Sequence, residues 1–231
     1  MKTLSKIIFL IMVLVILIKA NAYPQEALWN ELNARVEKLY RQGQYAEAQK
    51  ISDEAIKVAE TTFGKDHPNT ATSLNNLALL YYSQGNYAEA EPLYKQALAI
   101  NEKALGKDHP DVATSLNNLA ELYRAQGKYA ETETLYKQAL SIREKVLGKE
   151  HQDVAQSLNN LAGLYKVQGK YTEAEPLYKQ ALSISEKSLG KNHPQVAAVL
   201  ENMSALYKKM GKEAVAKVLE ERAKRIRSIY Q

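Results

Sequence analysis

Nine of the chain's ten glycines, Gly43, Gly64, Gly85, Gly106, Gly127, Gly148, Gly169, Gly190 and Gly211, recur at an unbroken spacing of 21 residues. They alternate between two settings. One leads into a tyrosine, as in Gly85-Asn86-Tyr87, and the other into a charged run ending in His-Pro, as in Gly106-Lys107-Asp108-His109-Pro110. The true period is therefore 42 residues, with two elements and two turns in each. A period of this size indicates units that cannot bury an apolar face alone and build a core by stacking.

Within the third repeat Val112, Ala113, Leu116, Leu119, Ala120 and Tyr123 recur at three- and four-residue spacing. That stripe predicts an amphipathic helix with Tyr123 among its core residues. Pro110 suits its first turn, and Gly127 is expected to end it in a left-handed backbone. A second helix is expected from about Lys128 to the stop at Gly148, with Tyr129, Leu135, Tyr136, Ala139, Leu140, Ile142, Val146 and Leu147 as its apolar residues. No strand-like alternation occurs, so the expected fold is all-α.

The set Leu74, Leu77, Ala78, Tyr81, Gly85, Tyr87, Ala90, Tyr94 and Ala97 returns as Leu158, Leu161, Ala162, Tyr165, Gly169, Tyr171, Ala174, Tyr178 and Ala181. This ladder resembles the tetratricopeptide repeat. The Leu-Asn-Asn-Leu-Ala core and His-Pro linker are similar to the 42-residue variety found in kinesin light chains and many bacterial proteins. The resemblance implies a right-handed α-solenoid of five helix-turn-helix repeats, at about 27–66, 67–108, 109–150, 151–192 and 193–231, within a domain spanning 23–231. It departs at the ends. Arg35 and Ser52 in the first repeat, and Glu213 and Glu220 in the fifth, stand where the pattern has a leucine or tyrosine, as expected of polar cover on terminal helices.

The N-terminus has Lys2 and Lys6, twelve apolar residues from Ile7 to Ile18, and Ala20-Asn21-Ala22. Residues 1–22 read as a secretory signal peptide, with an uncleaved membrane anchor as the alternative. Export to a periplasm or beyond the cell is expected, with no membrane association once the segment is removed. Its loss lowers the formal charge from +5 to +2. Basic residues then concentrate near the C-terminus, where Leu206 to Gln231 holds eight against three acids. So modest a charge, on an exported chain, argues against nucleic acid. With no cysteine, disulfides and thiolate metal sites are excluded.

His67, His109, His151 and His193 share one linker phase. Metal ligands must converge on one ion at about 2.0–2.1 Å, whereas stacked helices lie about 8–10 Å apart. Local hydrogen bonding in the turn is the expected role, and no metal, cofactor or catalytic residue is expected. No nucleophile elbow, phosphate-binding glycine loop or zinc helix is present, so enzymatic activity is not expected. Glu89, Glu131 and Glu173 fall at the start of each second helix, where they favour its dipole.

The polar positions of the first helices are more informative. Thr114, Asn117, Asn118, Glu121 and Arg124 lie at mutual spacings of three and four and are expected to face one way. The asparagine pair recurs as Asn75 and Asn76, Asn117 and Asn118, Asn159 and Asn160, with Asn202 alone in the fifth repeat. Asparagine is a mediocre helix former, so the repetition calls for a reason. The family resemblance implies that this face lines a concave groove in which such amides hold an extended peptide. The other reading of the same residues is bonding to the next repeat, and the two are compatible. Further along, the series Tyr40, Tyr82, Arg124, Lys166 and Lys208 runs from aromatic to basic. An exported adaptor for a protein or peptide partner, acidic segments being one option, is the first functional expectation. A self-associating structural subunit of an envelope assembly is the second, and the oligomeric state is left open.

Overall fold

The computed structural model describes residues 25–230, so the export segment assigned to residues 1–22 lies outside the described residues. These form helices and turns and, among the described residues, no strand. They divide into two compact units, one ending at Gly106 and one beginning at Lys107.

The first unit contains α1 (25–41), α2 (Tyr45–Thr62), α3 (Pro68–Ser83) and α4 (Tyr87–Leu105). Val36, Leu39, Ala48, Leu77 and Leu80 form a core joining α1, α2 and α3. Ala71, Leu74, Ala97 and Ile100 pack α3 on α4. The second unit contains α5 (Pro110–Ala125), α6 (Tyr129–Leu147), α7 (Gln152–Val167), α8 (Tyr171–Leu189), α9 (Pro194–Lys209) and α10 (Glu213–Ser228). Each helix packs on the next, and α7 also meets α9. Tyr136 joins Ala120, Leu161 and Leu164, while Tyr178 joins Leu158, Ile184, Met203 and Leu206. Burying side chains of this size stabilises by about 1.5–3 kcal/mol each.

The repeated punctuation has a local cause at every junction. His67, His109, His151 and His193 are the N-caps of α3, α5, α7 and α9, and each Nδ1 accepts a hydrogen bond from the amide two residues on, at 3.1–3.2 Å. That bond satisfies one donor left open by the helix start. At the other end of α5, Gly127 has φ +76°, and the amide of Lys128 donates to the carbonyl of Tyr123 at 2.9 Å. This is a Schellman closure. Gly148 ends α6 differently, with φ 84° and ψ 154°, a region that is essentially glycine's alone.

Three expectations are corrected. Tyr123 is half-buried, and the fully buried residue is its neighbour Leu122, at 0% exposure. Tyr81 and Leu80, and Tyr165 and Leu164, divide in the same way. A phenol needs a partner for its oxygen. Tyr165 finds one by donating to Glu133 on α6 at 3.0 Å, and the Lys170 ammonium lies 5.4 Å from its ring centre. Ser52 is not polar cover on an outer surface, because it is fully buried in α2. Val146 is exposed, whereas Arg143 is buried on α6. Burial pushes the Arg143 guanidinium below its usual range. It donates to Ser157 Oγ at 2.8 Å and to the carbonyl of Asp153 at 3.2 Å, tying α6 to the first turns of α7.

Candidate functional site

Within each unit, asparagines of the first helices bond across to the next repeat. In the first unit Asn76 Nδ2 donates to Asn33 Oδ1 at 2.8 Å, and Asn33 Nδ2 donates to the carbonyl of Trp29 at 2.8 Å. In the second unit Asn160 Nδ2 donates to Asn117 Oδ1 at 2.9 Å, and Asn202 Nδ2 to Asn159 Oδ1 at 3.1 Å. In these three bonds the earlier asparagine of a pair accepts and the later one donates to the first helix of the preceding repeat, whereas the Asn75 Oδ1 is buried without a partner among the described residues. The first and fifth repeats each keep one asparagine of the pair. Ala34 stands at the donor position of the first, and Glu201 stands at the acceptor position of the fifth. Glu201 instead accepts from Arg227 at 3.2 and 3.1 Å.

The polar face is accordingly less uniform than its spacing implies. Asn117 is 8% exposed, Asn75, Asn76, Asn118, Asn159, Asn160 and Asn202 are half-buried, and Thr114 is exposed. The inter-repeat bonds orient the amides of Asn33, Asn76, Asn117, Asn159, Asn160 and Asn202 while leaving part of their capacity unused, since an amide offers two donors and an acceptor.

The aromatic-to-basic series is also differentiated. Tyr82 is half-buried, its ring tilted against Tyr87 with centres 5.7 Å apart. Arg124 grips Glu121 through Nε at 3.0 Å and Nη2 at 2.7 Å, and Glu121 also accepts a bond from the phenol of Tyr136. Burial, with the Glu121 charge beside it, pushes the Tyr136 hydroxyl well above the ordinary tyrosine range. Lys208 is exposed and pairs with Glu220 at 2.8 Å. Lys166 differs from both. It is half-buried, no carboxylate of the described residues pairs with it, and desolvation, then the Arg124 charge, holds its ammonium below the usual lysine range.

Lys166 lines a cavity of about 160 Å³ together with Arg124, Asn160, Gly163, Tyr178 and Asn202, and the Glu121 that Arg124 holds lies on the same lining. In the first unit a more apolar cavity of about 330 Å³ is lined by Asn33, Val36, Tyr40, Asn76 and Leu79. Leu79, Glu121, Gly163 and Ala205 share one repeat phase, which the spacing of the asparagines and cations did not single out. The signal was available, because Gly163 is the one glycine outside the 21-residue series. Among the described residues no group of His, Asp or Glu is placed to hold a metal ion, and no helix is long and apolar enough to cross a membrane.

The pattern of the tetratricopeptide repeat matches residues 32–103, 74–145, 111–167 and 153–228. The fold is similar to that of a Podosopora anserina protein described as a kinesin light chain with nearly identical TPR-like repeats, at 29% identity and a TM-score of 0.69, covering 87% of this chain and 96% of that one. It is also similar to BtubC (BKLC) from P. vanneervenii, at 27% identity and a TM-score of 0.76, covering 92% and 86%. MamA, at 14% identity, a TM-score of 0.53 and coverage of 84% and 95%, shares the fold alone. No curated protein matches the chain in sequence.

Proposed function

The chain belongs to the tetratricopeptide-repeat family, a fold of protein-interaction scaffolds, and from that premise we propose that it seats an extended peptide segment against the asparagine-bearing first helices. The observation that carries this reading is the set of oriented amides beside positions that change from repeat to repeat. Asn160 and Asn202 line one cavity with Lys166, and Asn33 and Asn76 line another with Leu79. A constant amide suits a peptide backbone, and a varying neighbour suits its side chains. The apolar cavity of the first unit would take an apolar residue, and the basic one of the second an acidic residue.

The leader-like residues 1–22 support an exported protein whose mature chain begins at Tyr23. Intact-mass analysis of protein recovered from the native cell envelope tests this. A mass that retains the leader, in the membrane fraction, would replace export with anchoring. The groove itself is tested by a peptide-array screen, followed by amide NMR mapping of the best binder. Shifts centred on the side-chain amides of Asn160 and Asn202 are expected, and shifts confined to α10 would sink the reading.

A second reading, self-association into a larger assembly, is favoured by one observation. Val215 and Val218, three residues apart on α10, are exposed, as are Ile229 and Tyr230 just after it. Apolar side chains grouped at a terminal helix can mark an interface. Concentration-dependent mass in light scattering, abolished by Val218→Lys, would support it.

A further inference from the structure

In each of the last three repeats a cation follows at the same phase, as Arg124, Lys166 and Lys208. Two of the three have an acid in hand. Arg124 has Glu121, three residues earlier on its own helix, and Lys208 has Glu220 on the following helix. In the fourth repeat the position of Glu121 is taken by Gly163 and that of Glu220 by Tyr178, so neither source of a carboxylate remains.

The deletion leaves a donor unmatched as well. Tyr136 gives its hydroxyl to Glu121, 15 residues earlier. Tyr178, its equivalent, is fully buried, and its hydroxyl has no hydrogen-bond partner among the described residues. A β-carbon built on Gly163 would lie 3.6 Å from that hydroxyl, an ordinary contact distance, so the space where the acid stood is open and begins beside the orphaned oxygen. A buried hydroxyl without a partner costs about 1–3 kcal/mol, and a desolvated ammonium beside a guanidinium adds to that cost. Arg124 remains held by Glu121, and it contributes to the positive field at the Lys166 side of the cavity.

We propose that the cavity beside Gly163 is a subsite for the carboxylate of a glutamate side chain in a bound peptide, which occupies the place that Glu121 fills one repeat earlier. The Tyr178 hydroxyl would donate to one carboxylate oxygen, as Tyr136 does to Glu121, and the Lys166 ammonium would neutralise the charge. The amides of Asn160 and Asn202 line the same cavity and are placed to hold the peptide's backbone. The proposal rests on the peptide-binding reading for its ligand but not for its geometry. Glutamate is favoured over a chain terminus because the space copies an internal glutamate side chain.

The test uses the full chain and three small probes, acetyl-glutamate N-methylamide, its glutamine counterpart and acetyl-alanine with a free carboxylate, followed by NMR at the Gly163 amide and the Tyr178 ring. Capped glutamate should give saturable shifts, and capped glutamine should bind roughly tenfold or more weakly, the cost of one lost charge-assisted hydrogen bond. Gly163→Glu should abolish binding by supplying the acid internally, while Lys166→Met and Tyr178→Phe should each weaken it severalfold. Equal binding of glutamate and glutamine, undiminished binding to Gly163→Glu, binding of acetyl-alanine alone, or no response to any probe would each overturn the subsite. An array-selected peptide that binds wild type and Gly163→Glu equally would refute the subsite and leave the groove standing. Capped glutamate titrating Gly163 in a protein that selects no peptide from the array would do the reverse.

Discussion

The side-chain amide of Asn160 on α7 donates to the side-chain carbonyl of Asn117 on α5 at 2.9 Å, across 43 residues of sequence. Two residues that are poor helix formers therefore join neighbouring first helices, and each derives its value from the other.

This relationship predicts strong coupling. Asn117→Ala should cost about 1–3 kcal/mol, because it strands the half-buried Asn160 amide, whereas Thr114→Ala on the exposed side should change stability by no more than about 0.5 kcal/mol. In a double-mutant cycle by urea denaturation, Asn117→Ala with Asn160→Ala should show a coupling of at least about 0.5 kcal/mol. Strict additivity would mean that the bond contributes nothing.

The two equivalent tyrosines should respond oppositely to loss of the hydroxyl. Tyr136→Phe removes a bond to Glu121 and should destabilise by about 1–1.5 kcal/mol. Tyr178→Phe removes an orphaned donor and should be neutral or stabilising. Denaturant midpoints for the two single variants decide the matter, and equal losses would show that Tyr178 has a partner after all.

Adjacent turns of α7 give a sharper contrast. Leu164, at 0% exposure, should cost about 2–5 kcal/mol on replacement by alanine. Val167, at 51%, should cost less than about 0.5 kcal/mol by the same change. Thermal unfolding of both variants would place the register in doubt if the shifts were similar.

Acid should weaken the second unit through two glutamates. A hydrogen bond from Lys137, then one from Tyr165 and the Lys170 charge, hold Glu133 below the ordinary glutamate value of 4.5 against the opposing effect of burial. Lys179, Tyr207 and Lys212 do the same for Glu175. Because the folded state favours the ionised form, the stabilisation is complete above the unfolded value and is lost as pH falls through the lower folded values. Urea midpoints measured downward from neutral pH should fall more steeply in wild type than in the Glu133→Gln, Glu175→Gln double variant. Parallel curves would exclude these glutamates as the cause.

Helix limits were legible because their causes are local: His109 caps with its own ring, Pro110 fits a first turn, and Gly127 tolerates a positive φ. The choice between Leu122 and Tyr123 for the interior was not. Adjacent helical residues point about 100° apart, and the burial of such a tyrosine depends on an acid supplied from elsewhere, as Glu133 is to Tyr165 across 32 residues. The asparagine pair was legible as a feature, but an amide serves a neighbouring helix or a peptide equally well, so spacing alone left both uses open. Lys208 shows the same limit. Its place in the basic series is plain, whereas its pairing with Glu220 depends on how α10 packs against α9.

The one-way bonds from Asn160 to Asn117 and from Asn202 to Asn159 give the second unit a direction and a rule for growth. Copying the repeat that holds Asn159 and Asn160 would add one donor and one acceptor in register, so such a duplication could lengthen the second unit without disturbing the matches on either side. Copying the fifth repeat would instead set Glu201, already held by the Arg227 guanidinium, opposite the next amide donor, so one carboxylate would have to serve both. The fourth repeat is therefore a module from which the second unit can be extended, and the fifth is not.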